Sequence, residues 1–169
     1  MVTMSAILRE HLVPVISTAS AREKGRAGLR GVCLAVMTGL AIQLVLGMIL
    51  NLYITIPAAD ARASYLREVE TAPEMLTAHA VTGTLLLAAA GLLLLRAIAL
   101  RDVAVIILVT AGLAAIAGAF ASGEAFVRNR ADSASLSMAV LTGAALLCYT
   151  CLQALISWQG RPTREGAVG

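Results

Sequence analysis

Chemistry in this chain would start from one imidazole. His79 stands about a turn inside an apolar run, and the only other histidine, His11, lies far off near the start. Ionisable side chains are costly inside a bilayer and tend to face the bundle interior beside a partner. Glu124 is the natural partner, because a carboxylate accepts the imidazole proton and stabilises it. Asn51 and Tyr53 close one apolar run, Ser122 and Glu124 close another, and Ser135 and Ser137 open a third. If these runs are helices of one bundle, their polar ends meet in a single layer. The plain role for that layer is a polar clamp between His79 and Glu124. The sharper role is a ligand site. Met75 lies four residues before His79 and shares its helix face, while Met48 and Met138 reach similar depths. Thioethers with an imidazole suit Cu(I). Gly83, one turn beyond His79, would leave room for a flat ring such as haem or a quinone.

The elements that must hold these groups follow from composition. The chain has 169 residues, 59% hydrophobic and 14% charged, with mean hydropathy +0.86. Average proteins carry roughly 25% charged residues, so lipid rather than water must cover much of this surface. Four apolar runs occur, at 32–56, 76–95, 103–123 and 134–158. Each suffices for the roughly 20 helical residues that cross a bilayer. Backbone in hydrocarbon must bond to itself, so these runs are helices. The expected fold is all-α: a four-helix transmembrane bundle with antiparallel, up-down topology.

Lys and Arg set its orientation. Nine fall in the leader, the second loop and the tail, against four, Arg62, Arg67, Arg128 and Arg130, on the other side. Both termini are therefore expected in the cytoplasm of a plasma membrane, with His79 about 5 Å below the outer surface at 1.5 Å per residue. Residues 1–30 form a basic leader without the unbroken apolar stretch of a cleavable signal. Ile7, Leu8, Leu12, Val15 and Ile16 could lay it along the membrane as an interfacial helix, with Pro14 interrupting the bonding. Residues 31–158 make the transmembrane domain and 159–169 a cytoplasmic tail. A short helix is expected in the outer loop around "ARASYLREVE". The net charge of +3 and pI near 9.1 fit attraction to anionic lipid. No basic face interleaved with aromatics points to nucleic acid.

Small residues should pack the helices. Gly39, Gln43 and Gly47 recur every fourth place on the first, and Ala115 and Gly118 belong to two small-residue lines on the third. Such residues let backbones approach where no hydrophobic force drives association. They could equally face a membrane-protein partner or a second copy of the chain. Gln43, near mid-membrane, calls for a hydrogen-bonded partner such as Thr82, Thr142 or a neighbouring chain. "CYTC", Cys148 to Cys151, has no His or acid nearby, and two thiols cannot fill a four-ligand zinc site. With Cys33 they are expected to be packing residues. No Ser or Cys is set beside a base, so nucleophilic catalysis lacks support.

"NLYITIP", "AHAVTG", "ASGEAFV" and "SLSMAV" together resemble a group of small bacterial four-helix membrane proteins of uncharacterised function, over about Gly31 to Trp158. In that group a polar residue, often Asn, precedes the glycine that corresponds to Gly123; here it is Ser122. The H-x-x-x-G element at His79 and Gly83 is similar to helices of haem A synthase and cytochrome b561-type proteins. That similarity implies haem ligation by paired histidines, and only His79 is available in the membrane. The leading expectation is an accessory or assembly subunit packing against other membrane helices; the alternative is a haem-, quinone- or copper-binding redox protein using the His79 layer.

Overall fold

The computed structural model describes residues 4–53, 74–129 and 132–159, and their side chains from 24 onward except 128, 129 and 132. Four helices make up the described chain: α1 (Met4–Tyr53), α2 (Glu74–Leu100), α3 (Val103–Asn129) and α4 (Asp132–Gln159). The side chains that would lay the leader along the membrane, and the short helix around "ARASYLREVE", lie outside the described residues. Along the backbone, leader and first span form one helix of 50 residues. All four helices contain a stretch long and apolar enough to cross a membrane: Lys24–Tyr53, Glu74–Leu100, Val103–Val127 and Ser133–Gln159. Only 17% to 33% of the residues in those stretches are buried by protein. Leu34, Val45, Leu85, Leu92, Ile107 and Leu147 are more than half exposed. In water that surface would cost about 25 cal/mol for each Å²; against acyl chains it costs nothing.

Each helix packs on its chain neighbours, and α4 returns to α1, closing a four-membered ring. Contacts between α1 and α2 run in opposite senses: Gly25 meets Leu100, Gly39 meets Leu86, and Gly47 meets His79. The same holds for α3 and α4, where Gly112 meets Tyr149, Gly118 meets Leu141, and Gly123 meets Met138. The α3–α4 contact is the most extensive.

The turn between α2 and α3 is shorter than charge placement implies. α2 does not stop where hydropathy falls at Arg96; it continues to Leu100 with Arg96 exposed on its surface. A charge ends a lipid-soluble run, not a helix. Arg101 ends α2 at φ 56°, donating its N–H to the Ile98 carbonyl at 3.1 Å. This left-handed C-terminal position is one glycine usually takes. Asp102 then caps α3, its Oδ1 accepting from the N–H groups of Ala104 (3.2 Å) and Val105 (3.4 Å). Its Oδ2 accepts from Gln159 Nε2 at 3.3 Å, tying the end of α4 to the turn.

The core lies in the half of the bundle beside this turn. Leu29, Cys33, Val36, Leu93, Val109, Tyr149 and Leu152 are fully buried there. Tyr149 lays its ring over Gly112, where a methyl group would come within 2.7 Å of Cζ. Cys33 Sγ donates to the Tyr149 carbonyl at 3.6 Å, and Gln153 Nε2 donates to the Arg30 carbonyl at 2.9 Å. Both bonds join α4 to α1. Cys33, Cys148 and Cys151 are all free thiols.

Candidate functional site

The other half of the bundle, where α1 ends and α2 begins, is built around two polar side chains and two glycines. Gln43 on α1 lies against Gly83 on α2, with its Nε2 3.1 Å from where a Cβ would stand. One turn away the relation reverses, and the His79 ring lies against Gly47, Cε1 3.2 Å from that glycine's missing Cβ. Gln43 Nε2 donates to the His79 backbone carbonyl at 2.7 Å. Only the amide nitrogen can face a carbonyl, so this bond also fixes which end of the amide is oxygen.

The partner of Gln43 is thus a main-chain oxygen rather than Thr82 or Thr142. Those hydroxyls are used inside their own helices. Thr82 donates to the Ala78 carbonyl at 2.7 Å and Thr142 to that of Met138 at 2.8 Å. Ser122, Ser137 and Thr150 do the same, the common solution for a hydroxyl in a helix without water. Gly83 also differs from its expected role. The room it leaves is taken by the Gln43 amide, so it provides no face for a flat ring.

Beside this interlock lies a cavity of about 480 Å³, walled by all four helices. His79, Glu124, Gln43 and Asn51 line it, with Ser135 and Thr142. The rest of the wall is apolar and includes Leu44, Leu86, Ile116, Phe120, Phe126 and Met138. Apolar walls carrying a few convergent polar groups, at this size, are the usual form of a small-molecule site. Two polar atoms here are buried without a hydrogen-bond partner, Gln43 Oε1 and His79 Nδ1.

Of the residues singled out by sequence, His79, Glu124 and Asn51 do share this cavity. Asn51 Oδ1 accepts from Ser135 Oγ at 3.4 Å, linking α1 to α4. Tyr53, 80% exposed, and Met75, 39% exposed, are not among its lining residues, and neither is Ser122. Of the three thioethers, Met48 and Met138 line the cavity with His79, and Met75 stands outside it. Among the described residues no three His, Cys, Asp or Glu side chains cluster as metal ligands. Gly83 is filled by the Gln43 amide, and His79 is the one histidine among the cavity's lining residues. Of the packing residues, Ala115 is buried in the core, while Gly39 receives Leu86 and Gly118 receives Leu141.

Sequence reasoning missed Phe120 and Phe126. They are the chain's two phenylalanines, and both line the cavity. Two large rings in a segment otherwise rich in Ala and Gly were the available signal. No protein-family model, curated protein or solved structure matches this chain.

Proposed function

We propose that this is a multi-pass plasma-membrane protein with both termini in the cytoplasm, which binds a small membrane-soluble molecule between its helices near the outer surface. The orientation rests on the excess of Lys and Arg in the leader, second loop and tail. The binding role rests on one observation, the four-walled cavity that combines His79, Glu124, Gln43 and Asn51 with an apolar lining. His79 and Glu124 are then polar contacts for the guest, and the Gln43 bond holds α1 and α2 in register beside it.

The test is chemical analysis of an organic extract of the purified full-length chain. One small molecule should copurify near one equivalent, and His79→Leu should lower its yield severalfold while the protein still extracts as a folded helical bundle. An extract with no such molecule counts against the role. An epitope tag at either end should be reachable only after the cells are permeabilised.

An accessory role has separate support in α3. Ala111, Ala114, Ala117 and Ala121 are exposed on it, and small residues of this kind let a second helix approach closely in lipid. A native mass measurement in mild detergent should then find a second polypeptide, whether another copy or a different membrane protein; a lone chain would exclude it.

A further inference from the structure

The cavity's lining residues differ in how far they reach the outside, and the difference has a direction. Among the described lining residues, those classed as exposed are Met48, Asn51, Leu136 and Ala139. All four belong to α1 and α4, whereas those from α2 and α3 are buried or half-buried. The α1–α4 contact is also the least extensive around the ring. Hydrogen bonds pin this seam at its ends, Gln153 to Arg30 at one and Ser135 to Asn51 at the other. Met48 and Leu136, 58% and 67% exposed, flank it on the cavity side. These are apolar side chains within the membrane-length stretches of α1 and α4. A mouth so placed opens into lipid.

The wall also limits the guest. Among its described residues there is no Lys or Arg to neutralise a phosphate or carboxylate, and there is a carboxyl group, Glu124. An anionic head would enter a low-dielectric space with no cationic side chain among those residues to pair with, which is strongly unfavourable. The unpartnered atoms ask for something else. Gln43 Oε1 can only accept, and His79 Nδ1 accepts or donates according to its tautomer. A hydroxyl is the smallest group that satisfies either. Both atoms are buried on residues of the wall, so seating it takes a side-chain adjustment of the sort common on binding.

We infer that the cavity loads sideways from the bilayer, through the seam between α1 and α4, with a neutral amphiphile that carries a hydroxyl head on an apolar tail. A long-chain alcohol, a phenol and a hydroquinone share this chemistry. The inference rests on the binding role proposed above and adds to it a route and a head-group class.

The test uses the full-length chain in phosphatidylcholine vesicles and a dodecanol carrying a photoactivatable diazirine in its tail. Labelling should fall on cavity-lining residues. Excess dodecanol or decylhydroquinone should suppress it, and dodecanoate should compete at least tenfold more weakly. Ala139→Trp, at the mouth, should slow labelling at least tenfold. Leu136→Trp is the second mouth variant, at a position already 67% exposed and so tolerant of a larger side chain. Ala154→Trp, exposed elsewhere on α4, should change nothing. Full-speed cavity labelling in both mouth variants overturns the lateral route and leaves the binding role standing. Equal competition by dodecanoate overturns the hydroxyl class and likewise leaves it standing. Absence of cavity labelling, with no copurifying molecule, removes both.

Discussion

From Leu29 to Val36 on α1, with the facing parts of the other helices, the bundle is filled with apolar side chains. From Gln43 to Asn51 it is hollow, with a few polar side chains on a mainly apolar wall. Both halves use glycine to bring helices together, but they seat different guests. Gly112 receives the ring of Tyr149, which then fills the middle of the core. Gly47 and Gly83 receive His79 and Gln43, and the space beside them stays open. A buried polar atom without a partner does not by itself mark a site, for Tyr149 Oη in the filled half is one too. What separates the halves is the cavity next to such atoms. The phenol tip is carried inward by a ring that is needed for volume; the amide and imidazole stand on a wall with room before it.

Substitutions at the glycines should break or sharpen this contrast. The largest effect is expected at Gly112→Ala, where the new methyl meets the Tyr149 ring at 2.7 Å and the buried ring has nowhere to turn. Overpacking of this kind costs about 1–3 kcal/mol, readable as a lower unfolding temperature in detergent. A smaller loss is expected at Gly83→Val, which displaces the Gln43 amide from the His79 carbonyl. An interhelical hydrogen bond in lipid is worth about 0.6–2 kcal/mol. This variant should also weaken guest binding, whereas Gly112→Ala should leave it largely intact wherever the chain remains folded. The smallest effect belongs to Gly91→Ala, where nothing lies within 4 Å of the new methyl; stability should hold or rise by up to about 1 kcal/mol from helix propensity. Equal losses at Gly112 and Gly91 would erase the distinction between seated and open glycines.

The four long apolar helices were legible in the sequence because charge is scarce and helices are the only backbone that lipid tolerates in such runs. Their ends were less so. Lys24 and Arg96 fall outside the apolar runs yet inside helices, since a helix surface can carry a long cation that an apolar count rejects. The convergence of His79, Glu124 and Asn51 was readable from depth alone, because antiparallel helices of similar length bring equal depths together. Which side chains touch was not readable. The choice between Thr82 and a backbone oxygen for Gln43 depends on hydroxyl bonds inside each helix, and these leave no trace in spacing. Depth likewise could not separate Met48 and Met138, which line the cavity, from Met75, which stands outside it; rotation about the helix axis decides that.

The hollow half of the bundle is either a seat for a guest or merely loose packing. Ala80 lines the cavity and is half-buried, so Ala80→Leu fills space without touching the Gln43 bond. Native mass spectrometry of the intact chain, released directly from membranes, compares the two. A seat for a guest gives a wild-type peak carrying one extra small molecule and an Ala80→Leu peak without it, with unfolding temperatures after delipidation equal or higher in the variant. A wild-type chain that emerges bare, beside a variant that is simply more stable, would contradict it.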